Sequence, residues 1–234
     1  MILKRIKVNA GAVGETNCYI VQCEETKETM VIDPGGDVDK ILEMLNTLQG
    51  TVKYILLTHC HGDHMAGVNG LKEKVGGKVL IHRNDEPGLK NPLVNLAEYV
   101  DLGTVIVEAD SRLDDNDLIH VGNIEFKVIH TPGHTSGGIC LYSEKEKLLF
   151  SGDTLFRGSW GRTDLPTSNF IDIINSITEK LMILPEETIV YPGHRKINND
   201  KGRGAYLFRI KSKRLLEVRS VKCEVWSAKC EVWI

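Results

Sequence analysis

No uninterrupted apolar run in the 234 residues is long enough to span a bilayer, which excludes a chain built on transmembrane helices. An excess of one charge is also missing. With 29 Lys and Arg against 32 Asp and Glu, the formal net charge is −3, and no global field favours a nucleic-acid partner. The six cysteines (Cys18, Cys23, Cys60, Cys140, Cys223, Cys230) follow no disulfide-scaffold or zinc-knuckle spacing, so Cys18, Cys23 and Cys140 are expected to be buried free thiols. The opening MILKRIKVNAGAVGETNCYIV lacks the pattern of a signal peptide. Charge interrupts it and strand-like alternation follows, which points to the cytoplasm or to a chain whose targeting segment has been removed. A Rossmann glycine fingerprint and a G-x-S-x-G elbow are both absent, so neither a dinucleotide cradle nor a serine nucleophile of that type is expected.

What is present is an alternation of strand and helix patterns. LKRIKVN, TNCYIVQC and ETMVIDPGG read as short strands closed by turn residues. VDKILEMLNTLQG places Val38, Ile41, Leu42 and Leu45 on one helical face and stops at Gly50. KYILLTH is a strand ending at a histidine, GVNGLKEKVGG a short helix and KVLIH another strand. The interval 83–103 is irregular and suits a cover over one edge of a site. Strands are expected in IVEAD, LIHVGNIEFKVIH, GGICLYSEKEKLLFSGD and TIVYPGH, with a helix in SNFIDIINSITEKLMIL. Strands with interspersed helices suit two sheets with helices outside them better than a uniformly parallel sheet.

Three of the eight histidines and an aspartate fall within THCHGDH, residues 58–64. His59 and His61, two apart, converge on one ion if the backbone is extended. Asp63 and His64 turn toward a second, with Gly62 allowing the bend between the pairs. Comparable boundaries recur downstream: His130 and His134 bracket TPG at a strand end, Asp153 ends LLFSGD, and His194 follows IVYPG. Hydrophilic loops seldom place His or Asp at every such boundary, so the pattern is that of a metal site. His59, His61, Asp63, His64, His134, Asp153 and His194 make seven donors for two divalent ions. Imidazole and carboxylate without thiolate suit zinc, iron(II) or manganese alike; zinc is the first expectation.

TNCYIV, a strand ending in Asp33, THCHGDH, TPGHTSGG, SGDTLF and PGH resemble, in order, the landmarks of the metallo-β-lactamase fold superfamily over roughly residues 5–195. The resemblance implies an α+β fold, a four-layer αβ/βα sandwich with the site along one edge of its sheets. It implies that His59, His61 and His134 hold one metal, that Asp63, His64 and His194 hold the other, and that Asp153 bridges them. Asp33 would support the metal histidines by hydrogen bonding. LFRGSWGRTD (155–164) is similar to an element of the glyoxalase II-like hydroxyacylglutathione hydrolases. That implies hydrolysis of a small-molecule thioester such as an S-(2-hydroxyacyl)glutathione by a metal-bridging hydroxide, with Asp63 and Asp153 as catalytic carboxylates. Persulfide dioxygenases with a single iron carry a GRTD-like segment, and RNA-processing nucleases and phosphodiesterases share H-x-H-x-D-H; these are the alternative activities. The common zinc β-lactamases carry a cysteine at the position of Asp153, which disfavours that activity.

Cys60, between two expected ligands, is read as a core or supporting residue. His82 resembles a family position near the site that is not a ligand. His130 and His120 are read as structural. Arg157, Arg162 and Asp164 make either an interlocked turn under the site or an arginine for an anionic substrate. After His194 the chain departs from the glyoxalase II-like pattern: Arg195 stands where glycine is expected, and no TTIG-like stretch follows. Residues 1–200 are expected to form the catalytic domain. Residues 201–234, with nine Lys and Arg against three Glu and KCEVW twice, form a basic extension. An altered reading frame and a divergent tail both account for it. Alternation in EVRSVKCEVW suits an edge or dimer strand, and the expectation of a homodimer rests on that.

Overall fold

The computed structural model describes residues 1–194 and the backbone of 208–209. One six-stranded sheet takes β1 (Ile2–Asn9), β2 (Glu15–Gln22), β3 (Glu28–Ile32), β4 (Thr51–Leu56), β5 (Lys78–His82) and β6 (Ser111–Leu113) in that order. β1, β2 and β3 are antiparallel neighbours, and β3 through β6 run parallel. The second six-stranded sheet holds β7 (Leu118–Val121), β8 (Ile124–His130), β9 (Ile139–Ser143) and β10 (Leu148–Gly152). A small hairpin follows, β11 (Leu155–Phe156) with β12 (Ser159–Trp160). β13 (Ile189–Pro192) then joins the second sheet parallel to β10, and β14 (Phe208–Arg209) pairs antiparallel at its edge.

Period-two alternation along these strands builds the layers. Tyr19, Val21, Met30, Ile32, Leu56 and Leu80 of the first sheet meet Phe126, Val128, Leu141 and Phe150 of the second in one buried cluster. The alternate residues Ile20, Val31, Ile55, Val79 and Ile81 point the other way, onto α1 (Val38–Leu48) and the later helix at 68–75. On the far side, Cys140, Tyr142, Leu149 and Val190 pack against Ile173, Ile174, Ile177 and Leu181. The order is helices, sheet, sheet, helices: four layers. Strands buried on both faces show nearly continuous apolar runs, as ICLYS does.

Several local expectations shift. IVEAD is irregular, and the edge strand is β6, one step later, where Ser111 pairs with Leu80. α1 ends at Gln49, which takes the left-handed conformation (φ 52°), one residue before the expected stop. Helical turns begin within THCHGDH itself, as α2 (Gly62–Met65), before α3 (Val68–Val75). The interval 83–103 folds into short turns around α4 (Pro92–Asn95). The helix expected over 168–184 is α5 (Phe170–Asn175), followed by a wider π-type turn at Ser176–Leu181. The extension at 201–234 lies outside the described residues except for β14, and the strand and dimer expected there are outside them altogether. Among the described residues no helix is long and apolar enough to cross a membrane.

Candidate metal centre

Parallel strands put their C-terminal ends on one rim, and the expected donors follow those ends. Asp33 follows β3, His59 and His61 follow β4, Asp153 follows β10 and His194 follows β13. His134 enters from the turn after β8. The two sheets are fastened at this rim by β2: Asn17 N donates to Gly193 O (2.8 Å), Asn17 Nδ2 to Pro192 O (2.9 Å) and the Tyr19 hydroxyl to the same carbonyl (2.7 Å). Gly193 has to be glycine, because a Cβ there would lie 2.4 Å from Asp153 Oδ1 and 2.6 Å from His64 Cε1.

The structure brings all seven expected residues together, all but His194 of them buried. His59, His61 and His134 present ring nitrogens within 4.8 Å of one another, as do the donor atoms of Asp63, His64 and His194. Asp153 faces both groups. Its Oδ2 is 3.6 Å from His134 Nε2 and 3.4 Å from His194 Nε2, and its Oδ1 is 3.5 Å from His64 Nε2. Asp63 Oδ2 lies 2.9 Å from His194 Nε2. Asp63 and His64 share the first turn of α2, and their donor atoms converge, with Asp63 Oδ2 3.6 Å from His64 Nε2.

Four of the five imidazoles are aimed by a hydrogen bond at the other nitrogen. His64 Nδ1 donates to Asp33 Oδ2 (3.0 Å), His134 Nδ1 to the Arg162 carbonyl (2.9 Å) and His194 Nδ1 to the Glu15 carbonyl (3.1 Å). Thr58 Oγ1 donates to Asp33 Oδ2 (2.7 Å) and so accepts from His59 Nδ1 (3.1 Å). This leaves the Nε2 atoms of these rings turned inward. Nε2 of His59, His61 and His134 and Oδ1 of Asp153 are buried without a hydrogen-bond partner. Orphaned polar atoms each cost about 1–3 kcal/mol, and four converging acceptors are what a cation satisfies. The donors therefore fit a divalent-metal site.

The charge distribution agrees. Burial pushes the pKa values of His59 and His61 well below the usual imidazole range, which keeps their lone pairs free. Burial opposes a charge on His64 as well, yet Asp63, Asp153 and Asp33 together raise its pKa to about 10. Burial works against an ionised Asp63 too, but His64 and His194 hold its carboxyl well below the ordinary range. Three carboxylates on one side of the cluster call for positive charge there.

Two supports were not evident in the sequence. Asp85, 1% exposed, accepts from Cys60 N (3.1 Å), Thr135 Oγ1 (2.7 Å) and Gly137 N (2.5 Å), and so ties the THCHGDH loop to the TPGHTSGG loop. Its only signal was its place just after a strand. Thr58 is the second. Asp33 takes the supporting position expected of it, in a left-handed conformation (φ 52°) that Asp tolerates. Cys60 is buried among core residues and points at Gly88, away from the donors. Gly62 serves space rather than backbone freedom, since a Cβ would lie 2.5 Å from that of Ala97. His82 stays away from the cluster and stacks on His130, with ring centroids 4.0 Å apart. His130 Nε2 donates to Ser136 O, and His120 pairs with Glu125 on the surface. Arg162 and Asp164 form an exposed two-pronged ion pair (2.9 Å each). The thiols of Cys18, Cys23 and Cys140 are buried and free.

A profile of the metallo-beta-lactamase superfamily matches residues 11–194. The chain belongs to the metallo-beta-lactamase superfamily. Members bind divalent metals, and the His/Asp cluster fits such a centre. A protein of Aquifex aeolicus is 41% identical over 196 residues, covering 83% of this chain and 90% of its own. The hydroxyacylglutathione hydrolase GloC of Haemophilus influenzae is 30% identical over 182 residues, 77% of this chain and 85% of its own. Among solved structures, the BLEG-1 B3 metallo-beta-lactamase superposes with a TM-score of 0.77 at 33% identity, over 89% of this chain and 94% of that one. ETHE1 from Myxococcus xanthus gives 0.72 at 28% over 90% and 80%. TTHA1623 in a di-iron-bound form gives 0.69 at 33% over 81% and 92%.

Proposed function

We propose that this superfamily hydrolase is dinuclear and cleaves thioesters, S-(2-hydroxyacyl)glutathione or a related acyl thioester. The observation that carries the reading is Asp153, whose two oxygens face donors of both histidine groups. The similarity to GloC supports the substrate class, and that to the di-iron form of TTHA1623 supports two metals. His59, His61 and His134 would hold one ion, Asp63, His64 and His194 the other, and Asp153 both. Zinc is the first expectation and iron or manganese the alternatives. When bound, such a pair supplies Lewis acidity that lowers the pKa of water and polarises a carbonyl.

The chain's own residues supply the rest. Asp63, at the cleft floor, is placed to accept a hydrogen bond from the attacking water and orient it toward the thioester carbon. Thr16 Oγ1, 3.5 Å from Asp63 Oδ2, borders that carboxylate and helps fix its rotamer. The ring hydrogen bonds to Asp33, Thr58, Arg162 and Glu15 keep His64, His59, His134 and His194 from turning. Cys60 cannot act as nucleophile, because its thiol faces the core.

The test is metal quantification on purified protein, followed by rates on a panel of thioester, β-lactam, phosphodiester and persulfide substrates. Two metals per chain and oxygen-independent thioester hydrolysis are expected. Asp153→Ala and His61→Ala should each lose metal and activity; a variant that kept both would refute the assignment. The likeness to ETHE1 favours one second reading, a mononuclear-iron persulfide dioxygenase. One iron per chain with oxygen consumption would select it.

A further inference from the structure

The donors form the floor of a cleft of about 670 Å³, within the range of small-molecule sites. Leu93, Leu96 and Tyr99 line one wall, and Phe156, Trp160 and Leu165 line the other. Leu93 is 68% exposed and Tyr99 72%. These are large side chains standing in water at the mouth of a site, and local structure holds them there. Asn91 caps α4 by accepting from Leu93 N, and buried Asn95 accepts from Ala97 N (3.0 Å) while donating to Val105 O (3.0 Å). Ala97 seats this wall directly on Gly62 of the donor loop.

The charges that would hold a peptide thiol are scarce among the described residues. Among the described residues, the one Lys or Arg side chain lining the cleft is Arg162. Its guanidinium is engaged by Asp164 and its carbonyl by His134. Glutathione carries two carboxylates, and among the described residues the apolar walls of the cleft offer them no other cation.

We infer that the cleft selects thioesters by an apolar chain adjoining the scissile bond, with Leu93 and Tyr99 as specificity-determining residues and the charged carrier of little account. This rests on the thioester reading and fails separately from it. The apolar chain can lie on the acyl or the sulfur side, so the experiment carries both arms. On the metal-loaded full-length chain, kcat/KM is measured for acetyl, butanoyl and hexanoyl thioesters, each on glutathione and on a neutral small thiol. S-hexyl thioacetate and S-lactoylglutathione complete the set, and calorimetry follows binding of unhydrolysable thioether analogues of the same chains.

The expected result is a rise in kcat/KM of about three- to fourfold per added methylene, as apolar burial predicts, alike on both carriers. A parallel rise for the S-hexyl ester alone would place the chain on the sulfur side. Leu93→Ser and Tyr99→Ser, both at exposed positions, should reduce the hexanoyl-to-acetyl ratio at least fivefold with unchanged metal content and Tm. A preference above tenfold for S-lactoylglutathione over the hexanoyl thioester, or for glutathione over the neutral carrier, would overturn the inference. If no thioester turns over yet the thioethers bind more tightly with chain length, the hydrolase reading falls while the apolar selectivity stands. If affinity is independent of chain length, the selectivity falls.

Discussion

Asp85 has no ion-pair partner among the described residues and accepts three hydrogen bonds from complete burial. Burial raises the pKa of its carboxyl, and the three donors pull it back toward ionisation. Asp85→Ala would leave Cys60 N, Thr135 Oγ1 and Gly137 N without an acceptor between two donor loops. Hydrogen bonds to a charged group contribute roughly 1.5–3 kcal/mol each, so a loss of about 3 kcal/mol or more is expected in urea unfolding, with metal affinity down about 10–100-fold. An unchanged midpoint and unchanged metal affinity would rule out this role. His82 makes a pH-dependent prediction. Burial, and then His130 stacked on it, lowers its pKa to about 4. The unfolded chain therefore takes up a proton near pH 6.5 that the native one refuses. Stability should fall as pH drops from about 6.5 to 4 and this contribution should level off below. In metal-free protein, His82→Gln should flatten that part of the stability–pH curve; parallel curves for the two proteins would contradict the assignment.

Elements end where side chains offer the backbone another partner. Asn169 caps α5, its Oδ1 accepting from Ile171 N (2.8 Å) and Asp172 N (3.1 Å). Asn169 N also donates to Gly133 O (2.8 Å), so the cap and the loop carrying His134 are one unit. Gly133 has φ 136° and lies against Ile173, where a Cβ would come within 2.2 Å of its nitrogen. Asn169→Ala should cost about 1 kcal/mol and Asn169→Asp close to nothing, read from the urea midpoint. A neutral alanine variant would show the cap to be dispensable. Beyond Asn175 the sequence suggests a continuous helix, and the structure widens it instead. Ser176 Oγ donates to Pro132 O (2.8 Å) and Lys180 Nζ to His130 O (2.6 Å), which draws the helix toward the His134 loop. Such contacts lie some 40–50 residues apart in the chain, so periodicity alone does not reveal them.

Across the whole molecule, two sheets contribute donors to one rim, and the centre is expected to act as a clamp between them. Binding at a thousandfold excess over Kd stabilises by about 4 kcal/mol. For a chain of this size that corresponds to a Tm shift of roughly 8–16 °C. Chelation should lower Tm by that amount, and re-addition of metal should restore it; an insensitive Tm would show that the cluster binds nothing in the native state. The proposed domain division, with a basic extension at 201–234, concerns residues beyond those described. Salt-dependent RNA binding lost on removing that segment would revive the nucleic-acid alternative.

The sequence by itself determined which side chains could ligate, because imidazole and carboxylate recur at its strand ends, and the order of His59, His61, Asp63, His64, His134, Asp153 and His194 survives any packing. It also pointed to two sheets with helices outside them, since the nearly continuous apolar runs of β2 through β5 have two faces to bury and helical patterns fall between the strands. The tertiary structure decided what holds those donors and what the cleft is made of. Asp85 finds partners 25, 50 and 52 residues away, and its own neighbours in sequence show only a polar turn. Leu93 and Tyr99 read as residues of an irregular loop until Ala97 packs on Gly62 and turns them to the mouth of the site. Donor identity is a local property of side chains, whereas support and selectivity arise from contacts between segments that only folding brings together.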